Sequence, residues 1–330
     1  MNTSAAVSRP RPFTPRNSAR SVLVLLLAPL TFLVACTATT PPTESPSPMP
    51  PSVDGCQPRT VDEAGFPLPD LVGYANECNT GPRQECTTTV DGGLKSTHDG
   101  EVIENVCVNG RLEIGHNNVT VRDVLVRGAG RYALDIGQGM EVCPANVRIE
   151  YTEVDMSKAG DIDWAVYQRC AGGHVFDHVK VVNAGRGILT QGQLTIKDSY
   201  VYSNRTQPGA HRTAFSTHGG SGFTITGNTF ICVDSGCSSA LNLYSDSEPV
   251  TDALVQGNVF AGGSICLRGG RSHDHGDQTH DIRILDNRFS TVYEPECGKS
   301  RALGQFDKNA PGNVSSGNVW HENGRPIDGE

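Results

Sequence analysis

An eight-residue pattern of alternating apolar and polar positions recurs along this 330-residue chain. Apolar or small residues occupy positions 1, 3, 6 and 8 of each copy. The clearest copies are residues 223–230, 253–260, 282–289 and 313–320. Weaker copies begin at residues 119, 147, 174 and 194, so most steps are 27 to 31 residues. A fixed period of this size is typical of stacked-repeat architectures.

Each copy predicts two short β-strands joined at a corner, because the alternation continues on both sides of one skipped position. The corners of the clearest copies pair glycine or aspartate with asparagine: Gly227-Asn228, Gly257-Asn258, Asp286-Asn287 and Gly317-Asn318. These residue types tolerate the left-handed backbone of a tight corner. The spacing further predicts a ladder of stacked asparagines and an aromatic column of Phe230, Phe260, Phe289 and Trp320.

A second motif follows each copy and predicts a third strand in every coil. It occupies residues 132–136, 164–168, 186–190, 213–217, 239–243, 264–268 and 301–305. Three short strands per repeat resemble the right-handed parallel β-helix, the solenoid of many polysaccharide lyases and epimerases. The xGNxF corners resemble an actinobacterial group of secreted β-helix proteins. We therefore expect an all-β fold of about eight coils over residues 94–330, preceded by a Cys-rich N-terminal cap at residues 54–93.

The first 53 residues predict export and anchoring rather than folded structure. Four arginines precede an apolar stretch at residues 22–35, which ends in the lipobox-like sequence Leu33-Val34-Ala35-Cys36. We predict a lipoprotein signal peptide at residues 1–35, lipidation of Cys36, and a Pro/Thr/Ser-rich tether at residues 36–53. The protein would then sit on the outer face of the cell membrane. An ordinary signal peptide, or a start codon placed too early, is the alternative.

The net charge of the chain limits the kinds of molecule that it can bind. Removal of residues 1–35 takes away four arginines and no acid, which lowers the net charge from −9 to −13. Nucleic acid and anionic lipid surfaces are therefore poor partners for the mature chain. We expect a monomer that touches the membrane only through its lipid anchor.

Ten cysteines follow Cys36, and an even number in an exported chain predicts five disulfides. Cys143 and Cys170 each lie four residues before a copy of the pattern, so they occupy equivalent places in adjacent coils. Adjacent coils are about 4.8 Å apart, which a disulfide can span. We also expect Cys232–Cys237, which closes a small loop, and Cys86–Cys107. The pairs Cys266–Cys297 and Cys56–Cys78 follow mainly by elimination.

The third strand is the candidate binding surface, because β-helices that act on sugars hold substrate along one long parallel sheet. Outward positions on neighbouring coils carry acids, bases, amides and tyrosines, which suit sugar hydroxyls and ring faces. The predicted binding residues are Asp135, Arg169, Gln191, Ser216, Asn242, Tyr244 and Arg268. The alternative is that any exposed strand face carries polar residues.

His211 and His218 flank one such strand and are candidate catalytic bases. For a uronate lyase or C5-epimerase, which the resemblance implies, Arg212, Arg169 or Arg268 would neutralise the substrate carboxylate. Tyr167 or Tyr244 would supply an acid. The related group often reads His-x-Asp-Gly at this place, whereas this chain has His211-Arg212-Thr213-Ala214. A surface histidine pair without catalysis is the alternative.

The loop at residues 272–280 holds three histidines and two aspartates, but consecutive polar residues in a loop are usually solvated. No metal site is therefore predicted, and Ca²⁺ is left open as a cofactor. The leading hypothesis is a surface lipoprotein that binds polysaccharide in a groove and acts on uronates. The alternative is a non-catalytic structural or adhesion solenoid of the cell envelope.

Overall fold

The computed structural model describes residues 55–128, 130–137, 143–159, 164–206, 210–233, 236–272 and 274–327. The predicted signal peptide and tether and the lipidation residue Cys36 lie outside these residues. Within them, no helix has the length and apolar character that crossing a membrane requires.

Three parallel sheets stack side by side into a β-helix, as the repeat pattern predicts. Sheet I contains β3 (Val102–Glu104), β6 (Thr120–Arg122), β9 (Arg148–Glu150), β12 (His174–Asp177), β15 (Leu194–Lys197), β18 (Gly220–Thr226), β21 (Val250–Gln256), β24 (His280–Leu285) and β27 (Val314–Ser316). Sheet II contains β1 (Thr88–Asp91), β4 (Val106–Asn109), β7 (Leu125–Arg127), β10 (Glu153–Asp155), β13 (Lys180–Ala184), β16 (Tyr200–Ser203), β19 (Thr229–Cys232), β22 (Val259–Ala261), β25 (Arg288–Ser290) and β28 (Val319–Trp320). Sheet III contains β2 (Leu94–Lys95), β5 (Leu112–Ile114), β8 (Leu134–Ile136), β11 (Trp164–Gln168), β14 (Arg186–Thr190), β17 (Arg212–Thr217), β20 (Cys237–Asn242), β23 (Ile265–Arg268) and β26 (Arg301–Gly304). A 3₁₀ turn, Gly276–Gln278, lies in the loop between β23 and β24.

Eight complete coils, each running from sheet I through sheet II to sheet III, extend from β3 to β26. The predicted coil number is confirmed. One copy of the pattern, residues 101–108, escaped the sequence analysis because its first position is the polar Glu101. Its strands nevertheless pair in register with those of the next coil, with Ile103 opposite Val121.

The corner between sheets I and II has a left-handed backbone at position 5 of every copy. The φ angle is positive at Asn105, Asp123, Tyr151, His178, Asp198, Gly227, Gly257, Asp286 and Gly317. Glycine, aspartate and asparagine fill seven of these nine positions, since they adopt this conformation at least cost. Tyr151 and His178 are therefore unexpected at a corner.

Position 6 carries the predicted asparagine ladder. Asn228, Asn258, Asn287 and Asn318 are at most 1% exposed. Asn258 Nδ2 donates to Asn287 Oδ1 at 3.0 Å and to the Ile225 carbonyl at 2.9 Å. Its Oδ1 accepts from the backbone N–H and the side-chain amide of Asn228, both at 2.9 Å. Each side chain thus satisfies polar groups in both neighbouring coils, which buried corners require.

The aromatic column is also present. Phe230 and Phe260 stack with centroids 5.9 Å apart, and Phe260 and Phe289 are 5.4 Å apart. Trp320 pairs with Phe289 in the strand register. These rings belong to one continuous core that runs the length of the solenoid.

All five predicted disulfides form. Their Cα separations are 5.3 to 5.9 Å: Cys143–Cys170, Cys232–Cys237, Cys86–Cys107, Cys266–Cys297 and Cys56–Cys78. Such a set indicates an oxidising, extracytoplasmic compartment.

The Cys-rich segment lies along the side of the solenoid, which differs from its expected place across the end. We call residues 55–86 the strap. Asp70 accepts a hydrogen bond from His321 at the last coil (2.6 Å), Gly81 donates to His178 (2.8 Å), and Cys86 is bonded to Cys107 near the first. The strap therefore spans the outer face of sheet II.

An apolar cluster holds the strap in place. Leu68 and Leu71 pack against outward-facing residues of sheet II: Tyr200, Tyr202, Ile231, Val233, Val259 and Ala261. The Tyr202 hydroxyl donates to Asp62 Oδ2 at 2.6 Å. Arg83 binds the buried Asp123 with its guanidinium Nη2 at 2.6 Å. Under this cluster β16, β19 and β22 are buried on both faces, whereas β10 keeps the alternating pattern of a strand with one outward face.

Asn258→Ala tests the asparagine ladder. It leaves the Asn228 amides and the Ile225 carbonyl without partners in a dry corner, so we expect a loss of about 1–3 kcal/mol in the free energy of unfolding. Denaturant unfolding measures it. Asn309→Ala, at an exposed loop position, should change stability by less than about 0.5 kcal/mol. Equal stability of the two variants would count against the ladder.

Leu71→Ala tests the strap. Leu71 is 1% exposed, whereas its neighbour Val72 is 67% exposed. The cavity left by Leu71→Ala should cost about 2–4 kcal/mol, and the matched control Val72→Ala should be close to neutral. The measurement is the thermal unfolding temperature of both variants. If the strap is not docked on sheet II, the two variants should unfold at the same temperature.

The burial of His174 leads us to expect that the folded protein loses stability in acid. It is fully buried and accepts the Val147 backbone N–H at Nδ1, and burial lowers its pKa to about 4. Between pH ~6.5 and ~4 the unfolded chain binds a proton that the folded chain does not, so stability falls as pH drops through this window. His174→Leu, the residue type of the register partner Leu194, should reduce the loss between pH 7 and pH 5 by about 2 kcal/mol. His98→Leu, at an exposed position, should leave the loss unchanged.

Candidate functional site

The outer face of sheet III carries the predicted binding residues, while the strap occupies the outer face of sheet II. Strand pairing aligns one outward residue from each coil into a continuous row. In order, the row is Lys95, Glu113, Asp135, Tyr167, Leu189, Ser216, Asn242, Arg268 and Gly304. We call it the first row. Arg268 belongs to this row because the motif at residues 264–268 begins one residue later than predicted, at Ile265.

The first coils of this row are charged and aromatic. Asp135 is 2% exposed, and Arg111 Nη1 lies 3.6 Å from its Oδ2. Tyr167 stacks on Tyr132 with centroids 4.5 Å apart. Burial raises the pKa of Tyr167, so its hydroxyl keeps its proton at neutral pH. Stacked tyrosines offer the kind of surface on which sugar rings pack.

The middle of the row is closed and polar. Ser216 and Asn242 are 1% and 0% exposed. Neither amide atom of Asn242 has a hydrogen-bond partner among the described residues. Arg268 donates from Nε to Ser239 Oγ and from Nη1 to Gln305 Oε1, both at 2.9 Å. Asn242 and Ser216 are buried, like Asp135 at the start of the row, so a ligand lying on this face does not reach these three predicted binding residues in this structure.

A second row follows two residues further along the strands, formed by Arg169, Gln191, His218 and Tyr244. The first three are joined through the backbone ladder of sheet III, and the Tyr244 carbonyl accepts from Thr217 Oγ1 at 2.9 Å. Arg169 is exposed and the other three are partly buried. Coil spacing of about 4.8 Å brings His218 and Tyr244 next to each other.

His218 has an acidic partner that the sequence analysis missed. Its Nδ1 lies 2.9 Å from Asp246 Oδ2, and both side chains are 34% exposed. Asp246 belongs to the turn one coil later, 28 residues along the chain. The repeat length of about 28 residues is the signal in the sequence that relates these two positions.

Two predicted catalytic residues are not in this site. Arg212 is fully buried and donates to the backbone carbonyls of Ser203 and Val233, so it is structural and cannot meet a substrate. His211 is exposed, but it precedes the six-residue strand β17 whereas His218 follows it. At about 3.3 Å per residue the two histidines are roughly 20 Å apart, too far to act on one sugar ring.

Two arginines on this face have no carboxylate partner among the described residues. Arg169 makes no ion pair there, and Arg268 is held only by the neutral groups named above. They lie on either side of His218, each two coils away, or about 10 Å along the solenoid. In a chain of net charge −9, uncompensated cations on one face favour an anionic ligand.

The loop at residues 272–280 does not form a metal-binding cluster in its described part. Its His280 faces Asp281 at 2.7 Å and Asp277 lies 3.6 Å from Arg271. Among the described residues, the group with ligand spacing is instead Asp177, His178 and Asp198, at the corner between sheets I and II.

Compared with protein-family models, with curated proteins and with solved structures, the chain has no match in any of the three.

Proposed function

We propose that this protein binds an acidic polysaccharide along the outer face of sheet III and removes a proton from a bound uronate, as a polysaccharide lyase or C5-epimerase does. The observation that carries the proposal is the His218–Asp246 pair, flanked by Arg169 and Arg268. A base oriented by a carboxylate, set between two uncompensated cations, is the combination that uronate chemistry needs.

The pair gives each residue a defined part in proton transfer. With its Nδ1–H donated to Asp246, His218 presents the Nε2 lone pair to a substrate C–H. The negative charge of Asp246 then stabilises the imidazolium that forms. Tyr244, in the adjacent coil, is better placed than Tyr167 to protonate a leaving oxygen, because Tyr167 is two coils away from His218.

The ligand is a polymer rather than a single sugar. The two arginines lie four coils apart, about 20 Å, which exceeds the length of one sugar unit. The stacked Tyr132–Tyr167 pair lies on the same face. A chain lying along the coils would therefore meet a cation, a base and a second cation in order.

The resemblance of the repeats to secreted lyase and epimerase solenoids supports the same assignment, and it also supports a lipid-anchored protein. In this proposal Cys36 carries the lipid, residues 37–53 act as a tether, and the solenoid faces the cell exterior. The five disulfides agree with that compartment.

The test is a screen of the full-length protein against uronate-containing and neutral polysaccharides, with and without Ca²⁺. Ultraviolet absorbance reports unsaturated uronates made by a lyase, and solvent-proton exchange at C5 reports an epimerase. We expect His218→Gln to lower the rate by at least ~100-fold and Asp246→Asn by at least ~10-fold. His211→Gln, at the other end of β17, should keep full activity.

The remaining outcomes separate the alternatives. Binding of a uronate polymer that falls in Arg169→Gln and Arg268→Gln, without turnover, would leave a non-catalytic binding module and remove the role of His218. No binding to any polymer would overturn the proposal and favour a structural or adhesion solenoid.

A further inference from the structure

The corner between sheets I and II brings three metal-ligating residue types together from two successive coils. Asp177 and His178 belong to one coil, and Asp198 occupies the equivalent corner of the next. A ring nitrogen of His178 and one carboxylate oxygen from each aspartate lie within 4.8 Å of one another. The left-handed φ angles of 54° and 50° at His178 and Asp198 place these two side chains at equivalent corner positions of adjacent coils.

The histidine has one nitrogen engaged and one without a partner. His178 is 6% exposed, and its Nδ1 lies 2.6 Å from Asp177 Oδ1, while Nε2 is buried with no hydrogen-bond partner. The ring is fixed by stacking on Tyr151 at 4.6 Å, and Arg83 covers Tyr151 at 4.1 Å. A metal that also binds Asp177 must bind on the Nδ1 side of the ring, because Nε2 lies on the opposite side of the ring from this carboxylate.

Asp198 is partly buried, and its carboxylate accepts no hydrogen bond from the described residues. Gly227 leaves space for it in the next coil, since a Cβ there would lie 2.5 Å from Asp198 Oδ1. A partly buried carboxylate without hydrogen-bond donors is stabilised by a bound cation.

Lys197 competes with a metal at this site. Its Nζ lies 2.8 Å from Asp177 Oδ2, but the lysine side chain is 41% exposed. Two carboxylates and one lysine leave the group with one net negative charge, which still favours a divalent ion. Asp177 Oδ1, His178 and Asp198 remain as ligands, and the proton between Oδ1 and the histidine Nδ1 leaves when the ion binds.

We propose that Asp177, His178 and Asp198 bind a Zn²⁺ ion that links two adjacent coils. One imidazole and two carboxylates suit zinc, whereas Ca²⁺ and Mg²⁺ prefer all-oxygen sites. The ion would also support the strap, because the His178 carbonyl accepts the Gly81 N–H at 2.8 Å. This role does not depend on polysaccharide binding at sheet III.

The experiment is calorimetric titration of the full-length protein with Zn²⁺ after chelator treatment, together with thermal unfolding. We expect one equivalent to bind and the unfolding temperature to rise with Zn²⁺ concentration. Asp198→Asn and His178→Asn should each weaken binding at least tenfold and abolish the rise. Asparagine tolerates a left-handed φ, so His178→Asn keeps the corner.

Asp286→Asn is the matched control, because Asp286 holds the same corner position above a glycine, Gly317, but has no histidine in the preceding coil. It should bind Zn²⁺ like the wild type. Lys197→Gln should tighten binding, since it removes the competing cation. The proposal fails if the wild type binds no Zn²⁺ or if Asp198→Asn binds it as tightly, which would indicate adventitious surface histidines.

Discussion

The structure depends on one constraint, the left-handed corner that turns the chain from sheet I into sheet II in every coil. The left-handed conformation is energetically unfavourable for most side chains. The corner also contains backbone N–H and C=O groups that are not hydrogen-bonded within any of the three sheets. Glycine or aspartate relieves the first problem in the later coils. The buried asparagine that follows relieves the second, since Asn228, Asn258 and Asn287 each bond to the next coil. Repetition of this corner fixes the register of all three sheets.

Fixed register is what creates a functional surface on this fold. Because each coil advances by about 4.8 Å, residues some 28 positions apart in sequence become neighbours in space. His218 and Asp246 meet in this way, as do Cys143 and Cys170. The same geometry separates His211 from His218, which are close in sequence but lie at opposite ends of one strand. On a solenoid, residues a few positions apart within one coil can be far apart in space, whereas residues one full coil apart in sequence are neighbours.

The sequence therefore allows the repeating features to be predicted and hides the features that occur once. The corners, the asparagine ladder, the coil number and the Cys143–Cys170 disulfide follow from periodicity. The strap does not, because Leu68 and Leu71 belong to no repeat and only the folded chain shows that they cover sheet II. Arg212 looked like a surface cation for a related reason, since the carbonyls that accept its hydrogen bonds, Ser203 and Val233, lie at the ends of two strands of sheet II and are distant in sequence.

The two corner residues that depart from the glycine, aspartate and asparagine pattern, Tyr151 and His178, lie in consecutive coils and stack on each other. A bulky residue at a left-handed position costs energy that the regular corners avoid. These two residues lie where Arg83 of the strap contacts the Tyr151 ring and where Asp177 and Asp198 lie close to His178. Strained positions of this kind persist where surrounding contacts over-determine them. An ion shared between the two coils would supply such a contact, and it would join the docking of the strap to the stacking of the solenoid.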